Sequence, residues 1–240
     1  MSGNFLPGFT TYQKVTASDK NYVSILDFGT WALGSFASVA ELKAALSTMK
    51  VWYDPSLPSG PTPPDLHFVF NDKSGNGIVV EFVNEQMQIH DNKVHVLTNA
   101  PTYDWHLTNL RNYTTVGATM TPTVEVGSAD VTALGAGGNT LALRGDYSPP
   151  SRFVRMAFLR WNMTEAKTNN DALQSTLHLL NNVDIVRGVA GSKTEKGTQW
   201  DMTQWMTLKD LTNNRFYIAD DQHRTNFVMI DLGQLSKFVS

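Results

Sequence analysis

The clearest strand pattern in this chain is carried by the stretch Leu66-His67-Phe68-Val69-Phe70-Asn71-Asp72-Lys73-Ser74-Gly75-Asn76-Gly77-Ile78-Val79-Val80-Glu81-Phe82-Val83. Its first five and last seven residues are rich in β-branched and aromatic types, and the residues between them are turn formers. This pattern predicts two antiparallel strands joined by a turn. Two more strands are predicted directly after it, at Met87–His90 and Val94–Thr98. Together they predict an antiparallel meander.

Helices are predicted on both sides of the meander, from apolar residues at helical spacing. Ser38 and Glu41 have capping-box spacing, and Asp104 is placed to cap a later helix. The predicted helices are Val23–Phe36, Val39–Met49, Asp104–Tyr113, Ser151–Trp161 and Asp171–Asn182. Three strands are predicted to close the chain, namely Trp200–Leu211, Arg215–Ala219 and Phe227–Leu232.

The order of helices, strands, helices and strands favours an α+β fold over alternating βαβ units. Neither a repeat nor a change of composition marks a linker, so one domain is predicted for residues 1–240. Met1–Tyr12 shows no recognisable element of its own. A loop is predicted at Asp54–Asp65, because five prolines there block regular backbone hydrogen bonds.

Composition excludes several classes of function. A formal net charge of −3, with no run of Lys or Arg, argues against nucleic-acid binding. No segment approaches the roughly 20 apolar residues that a membrane helix needs, and the start lacks a signal-peptide pattern, which favours a cytoplasmic protein. Because the 240 residues contain no cysteine, disulfides, thiolate metal sites and a thiol nucleophile are excluded within them.

Two polar loops carry the candidate site residues. In the first, Leu97–His106, Asn99 ends a predicted strand just before Pro101. A carboxamide can be held rigidly there with its NH₂ group directed into a cleft. From the residues alone, a turn asparagine that bonds its own backbone remains the alternative.

The second loop, Arg144–Phe153, places Arg152 after two prolines that precede a predicted helix. The guanidinium is therefore expected at the first turn of that helix. A cation at a helix N-terminus costs about 0.3 to 1 kcal/mol, so the position calls for a reason. Beside a thiol, the positive charge would favour the reactive thiolate. A solvated surface charge is the alternative.

Both loops resemble the choloylglycine hydrolase family, which contains the bile salt hydrolases and penicillin V acylases. The resemblance runs from Gly3 to Leu232 and includes two further segments, Gly3–Leu6 and Leu179–Gly188. It implies an N-terminal nucleophile hydrolase fold, a four-layer αββα sandwich with antiparallel sheets. The family's N-terminal strands would be missing from this chain.

The resemblance also implies roles for three residues and a class of substrate. Asn99, and Asn4 from the segment Gly3–Leu6, would stabilise a tetrahedral oxyanion. Arg152 would hold a thiolate and order the site. Neither a cofactor nor a metal is implied. The partner would be a small-molecule amide, with conjugated bile salts ahead of penicillin V, and the family resemblance implies a homo-oligomer, a tetramer.

The family's nucleophile is an N-terminal cysteine, which this chain lacks along with an arginine and an aspartate near it. In the family these three residues lie in the opening strands. The chain is therefore expected to be the later part of the family's domain, with Met1 as an internal or truncated start. It is expected not to cleave amides alone. Two alternatives remain open: a non-catalytic protein that binds an apolar acid, and a truncated product without a function.

Other constellations carry weaker signals. His90 and His95 flank a turn but lack a third zinc ligand. Gly135–Gly138 lacks the following Lys-Ser/Thr of a phosphate loop. Ser148 and Ser151 lie outside a Gly-x-Ser-x-Gly elbow. None of these predicts a second site.

Overall fold

The structure is a computed structural model that describes residues 1–56, 60–235 and 237. The chain divides into two compact units, Met1–Asn162 and Met163–Ser240. Both units combine helices with antiparallel sheets, so the predicted α+β class is confirmed. That residues 1–240 act as one domain stays a prediction.

The first unit is built mainly around one sheet and four α-helices in its described residues. Its elements are β1 (Ser2–Phe5), β2 (Tyr22–Ser24), α1 (Ile25–Ser35), α2 (Val39–Leu46), β3 (Lys50–Trp52), β4 (Leu66–Asn71), β5 (Gly77–Val83), β6 (Gln86–Asp91), α3 (Tyr103–Leu110), β7 (Thr123–Val126), β8 (Ala129–Thr132) and α4 (Pro149–Asn162). Short 3₁₀ helices lie at Arg111–Tyr113 and Gly138–Thr140.

The main sheet has the strand order β1-β4-β5-β6, and every pairing in it is antiparallel. Its first turn is the predicted one: the Asp72 amide donates to the Asn76 carbonyl over 3.1 Å, and Gly75 adopts a φ of +87°. The next turn uses Asn84 and Glu85, both with positive φ, as a two-residue hairpin turn of type I′ requires.

The two faces of this sheet bury separate cores, because side chains alternate along a strand. On one face, Phe68, Val80 and Phe82 pack with Phe28 of α1 and Leu42 of α2. The opposite face belongs to a second cluster in which Val79 of β5 packs with Tyr103 of α3 and Phe153 of α4. His67 and Glu81 lie on this second face, one residue from Phe68 and Phe82.

The predicted strand Val94–Thr98 is wrong. The His95 amide donates to the Asn92 carbonyl in a turn, and His95 adopts a φ of +53°, which takes the chain out of the sheet. Val96 is nevertheless buried, in the second core. The apolar residues of Val94–Thr98 therefore indicate a loop that packs against the core, not a strand that pairs in the sheet.

Asp104 does not cap α3, contrary to the prediction. The helix begins at Tyr103 with Thr102 as its N-cap, and the Thr102 hydroxyl donates to the Asp104 carboxylate. The Tyr103 amide instead donates to the buried Glu81 carboxylate of β5. A carboxylate near a helix N-terminus is favourable because it meets a free amide and the positive end of the helix dipole.

At the start of α2 the capping prediction is confirmed for Ser38, whose hydroxyl accepts from the Glu41 amide over 3.2 Å. The Glu41 carboxylate accepts from the Ala37 amide.

Two findings were not predicted. Residues 2–5 form the strand β1, and β2 pairs in parallel with β3 because α1 and α2 provide the crossover. Within the loop predicted at Asp54–Asp65, residues 57–59 lie outside the described residues.

The second unit contains α5 (Asn169–Asn181), β9 (Ala190–Thr194), β10 (Gly197–Asp201), β11 (Trp205–Asp210), β12 (Arg215–Asp220), β13 (Val228–Asp231) and α6 (Leu232–Leu235). β9 and β10 form one antiparallel hairpin, and β11, β12 and β13 form an antiparallel sheet. The single strand predicted at Trp200–Leu211 is therefore two strands. It breaks where the Thr203 amide donates to the Ile185 carbonyl.

No helix among the described residues combines the length and apolarity needed to cross a bilayer.

Candidate active site

Asn99 and Arg152 meet, although 53 positions separate them in the chain. An Arg152 Nη2 hydrogen is donated to the Asn99 Oδ1 oxygen over 2.8 Å. Both residues are half-buried. The fold thus brings the two side chains singled out in the sequence to one place, as their predicted common site requires.

Arg152 is held at the beginning of α4 from both sides. Its Nε hydrogen is donated to the Tyr147 carbonyl over 3.0 Å, which ties the guanidinium to the loop before the helix. The next residue, Phe153, is fully buried and stacks on His106 of α3, with ring centroids 4.4 Å apart. The Arg152 side chain therefore extends from the packed N-terminal end of α4.

The main chain of Asn99 is fixed by His106. The imidazole Nε2 lies 3.0 Å from the Asn99 carbonyl oxygen, so this nitrogen carries the hydrogen. Burial lowers the pKa of His106 below its ordinary value, which keeps the ring neutral at physiological pH. Asn99 is thus anchored through its carbonyl by α3 and through its side chain by α4.

The Arg152 bond also orients the Asn99 carboxamide. Because Oδ1 accepts from the guanidinium, the NH₂ group is directed away from it. Among residues 1–56, 60–235 and 237, none accepts a hydrogen bond from this NH₂ group. The arrangement presents N–H donors beside a fixed positive charge, which can stabilise a developing oxyanion.

Asn4 lies in β1, directly opposite His67 of β4. Opposed residues of an antiparallel pair project to the same face, so Asn4 shares the face of the sheet on which α3 and α4 pack. Its neighbour Phe5 accepts from the Ala100 amide over 3.2 Å, which places β1 beside the loop of Asn99. No described residue bonds the Asn4 carboxamide.

A buried polar pair beneath this loop was missed at the level of sequence. His67 and Glu81 are both fully buried, and His67 Nδ1 lies 2.8 Å from Glu81 Oε1. The other ring nitrogen, Nε2, donates to the Thr98 carbonyl over 2.8 Å. A signal was present: each residue interrupts an apolar run in a central strand, where a polar side chain must find partners.

The loop before α4 is ordered by Asp146. Its carboxylate accepts from the Ser148 amide and hydroxyl and from the Ser151 hydroxyl. These bonds, led by the Ser148 hydroxyl, lower the Asp146 pKa to about 2. Both serine hydroxyls are thereby used in hydrogen bonds within the loop.

The weak zinc signal at His90 and His95 is not supported by a third ligand. The described residues contain no cluster of three potential metal ligands, either around these two histidines or elsewhere.

Asp146→Asn is expected to destabilise the first unit by about 1 kcal/mol at neutral pH, because the amide cannot accept all three bonds. The folded carboxyl has a pKa below its unfolded value, so its contribution is present above about pH 4 and is lost as pH falls toward 2. Urea unfolding at pH 7, 4 and 2.5 measures this. The difference between the two proteins should shrink with acid. The exposed Asp130→Asn is the control, and a difference independent of pH would contradict the role of the charge.

The sequence matches the family of linear amide C–N hydrolases of the choloylglycine hydrolase type over residues 1–236. It is 35% identical over 216 residues to a bile salt hydrolase/transferase of Clostridium perfringens, covering 90% of this chain and 64% of the relative. A bile salt hydrolase/transferase of Lactiplantibacillus plantarum is 33% identical over 96% of this chain and 70% of the relative. The chain thus spans somewhat less than two thirds of the length of the C. perfringens protein.

Solved structures show the same likeness. A variant of the conjugated bile acid hydrolase from C. perfringens aligns with a TM-score of 0.84 and 33% identity, over 97% of this chain and 69% of that one. A penicillin V acylase from Agrobacterium tumefaciens aligns with a TM-score of 0.71 at 20% identity, over 94% of this chain and 61% of that one. The second likeness concerns the fold alone. Together they confirm the predicted fold class, that of the N-terminal nucleophile hydrolases.

Proposed function

Because this chain belongs to the choloylglycine hydrolase family of linear amide C–N hydrolases, we propose that it supplies the electrostatic part of a site that cleaves conjugated bile salts. The observation that carries the proposal is the hydrogen bond between Arg152 and the Asn99 carboxamide. The pair offers N–H donors and a positive charge at one point, as an acyl-transfer site requires.

In this reaction the α-amino group of the N-terminal cysteine takes the thiol proton, and the thiolate attacks the amide carbonyl. The same proton passes to the amide nitrogen as its bond to carbon breaks, so glycine or taurine leaves as the amine and a thioester remains. Water then hydrolyses the thioester, which releases the bile acid and the thiol. The Asn99 NH₂ group donates to the oxyanion of the tetrahedral intermediate, and Asn4 is the second donor from its face of the sheet. The Arg152 charge favours the thiolate over the thiol. No metal or cofactor takes part in these steps.

The nucleophile is absent from these 240 residues, which contain no cysteine. Ser148 and Ser151 are poor replacements, because both hydroxyls donate to the Asp146 carboxylate and a carboxylate whose pKa is lowered to about 2 is too weak a base to activate them. We therefore propose that the chain by itself does not cleave amides. Catalysis requires a segment that carries the family's N-terminal cysteine.

Conjugated bile salts are the preferred substrates over penicillin V. The relatives that are 33 to 35% identical carry bile salt hydrolase names, whereas the penicillin V acylase is only 20% identical. A cytoplasmic location and a homo-oligomeric state, a tetramer, stay predictions from the resemblance.

A fusion protein tests the proposal. The segment of the C. perfringens relative that precedes its region of similarity is joined to the N-terminus of this chain, so that the fusion begins with the relative's cysteine. The fusion is expected to release glycine from glycocholate, detected with ninhydrin. The 240-residue chain and a fusion with cysteine changed to serine are expected to release none.

Three outcomes would count against the proposal. Hydrolysis by the chain alone would show that another group acts as nucleophile. A folded fusion that cleaves penicillin V but not glycocholate would reverse the order of substrates. The third outcome is that the chain binds bile acid tightly, that Arg152→Ala does not weaken this binding, and that the fusion does not hydrolyse glycocholate. This outcome would favour a non-catalytic binding protein.

A further inference from the structure

We propose that His67 and Glu81 are positioning residues: a buried pair that shares one proton and fixes both ends of the loop carrying Asn99. The importance of that loop for catalysis rests on the proposed function. The proton shared by the pair, by contrast, follows from the arrangement of donors and acceptors in this chain. It can be measured without a substrate.

The hydrogen-bond partners of His67 determine how many protons the pair must hold. Nε2 faces the Thr98 carbonyl oxygen, which can only accept, so Nε2 carries a hydrogen. Nδ1 faces Glu81 Oε1 at 2.8 Å, and a hydrogen bond there needs a second hydrogen. That hydrogen belongs either to an imidazolium or to a carboxylic acid. Both forms contain one proton more than a neutral histidine beside an ionised glutamate.

Burial makes this proton important. Both side chains are fully buried, so water cannot replace a missing hydrogen bond. Without the proton, the Glu81 carboxylate would face the Nδ1 lone pair and carry an uncompensated buried charge, which is costly. With the proton, the pair has no net charge and its facing atoms are bonded. The fold therefore favours the state with the extra proton.

The same pair forms hydrogen bonds to both ends of the loop that carries Asn99. His67 bonds the Thr98 carbonyl at one end, and Glu81 accepts from the Tyr103 amide over 3.0 and 3.1 Å at the other. Only residues 99–102 lie between these anchors. The register Phe68↔Val80, continued by one residue, sets His67 opposite Glu81 on adjacent strands. Two central strands thus determine where Asn99 stands relative to Arg152.

Other titratable groups face the pair from three elements. On β6, His90 Nε2 lies 3.7 Å from Glu81 Oε2. On α3, the Tyr103 hydroxyl donates to Asn92. On the same helix, the pKa of His106 is affected by both Glu81 and His67. On α4, the charge of Arg152 acts on His106. His90 is the one close enough to alter the proton balance directly, so it needs its own control.

Proton sharing predicts a particular pH dependence. An unfolded histidine loses its proton above about pH 6.5, whereas the folded pair keeps one. The folded state then binds more protons, so the folding equilibrium constant should fall tenfold per pH unit above pH 6.5, or about 1.4 kcal/mol per unit. In Glu81→Gln, the amide NH₂ can donate to Nδ1 while its oxygen accepts from the Tyr103 amide. A neutral His67 then suffices, and this tenfold fall should disappear.

Two measurements on the 240-residue chain test the proposal. In proton NMR spectra at pH 7.5, the hydrogen between His67 Nδ1 and Glu81 Oε1 should give a resonance far downfield, which Glu81→Gln should lack. In urea unfolding from pH 6.5 to 8.5, wild type should lose stability relative to Glu81→Gln. Glu125→Gln, at an exposed carboxylate, is the matched control. The comparison is repeated with His90→Gln in both proteins to remove the contribution of His90.

The positioning role has its own readout, the Asn99 carboxamide resonances. Glu81→Gln should leave them in place, whereas Glu81→Leu, which lacks both acceptors, should shift them. If the leucine variant does not fold, the glutamine variant decides alone: displaced Asn99 resonances in a folded Glu81→Gln protein overturn the role. Absence of the downfield resonance of the shared hydrogen in wild type, or equal pH dependence of wild type and Glu81→Gln, overturns the shared proton. A fusion without hydrolase activity changes none of these results, so failure of the proposed function is distinguishable.

Discussion

Asn99→Asp is expected to lower the kcat of the fusion protein for glycocholate by about 10² to 10³, because the variant keeps the oxygen that accepts from Arg152 and loses the NH₂ group. The loss corresponds to about 2.7 to 4 kcal/mol of transition-state stabilisation. Since the donor acts on charge that develops only in the transition state, KM should change little. Initial rates of glycine release over a range of glycocholate concentrations measure both constants.

The aspartate variant separates two possible roles of Asn99. If the residue served only to hold Arg152, a carboxylate at position 99 would hold the guanidinium at least as well, and kcat would be retained. Asn99→Ala should lose a similar factor, because it also lacks the donor. Asn170→Ala, at an exposed position on α5, is the control and should retain full activity. A kcat within threefold of the unsubstituted fusion for Asn99→Asp would refute the role as donor.

Phe28→Ala is expected to destabilise the first unit by about 3 to 5 kcal/mol, the range for removing a buried aromatic ring. Phe28 is fully buried at the centre of the first core. Its ring packs edge-on against Phe68, Phe70 and Phe82, with centroids 5.2 to 5.7 Å away. The loss therefore includes burial, a cavity and several aromatic contacts.

Urea unfolding followed by circular dichroism measures this loss. Leu33→Ala on the same helix is the matched control, since its side chain is 60% exposed and should change stability by less than about 0.5 kcal/mol. Phe28→Leu should fall between the two, because it leaves a smaller cavity. A loss below about 1 kcal/mol for Phe28→Ala would mean that neighbouring side chains collapse into the space.

The sequence predicted best where the signal is local. The turn at Asp72–Asn76 and the Ser38 cap depend on residues a few positions apart, and both were found. Predictions failed where a distant partner decides. Val94–Thr98 has strand-like residues but pairs with no strand in the described part of the chain, and the amide at the start of α3 donates to Glu81, 22 positions earlier, rather than to Asp104.

Local pattern and motif were enough to predict the α+β class and the family resemblance and to single out Asn99 and Arg152 as candidate site residues, because these depend on residue type and short spacing. The meeting of those two side chains depends on contacts between α3, α4 and the main sheet, which no local pattern encodes. The pair His67 and Glu81 is the clearest example. Each looks like an isolated polar residue in a strand, and only strand register and burial place them together beneath the loop, where they must be bonded to each other.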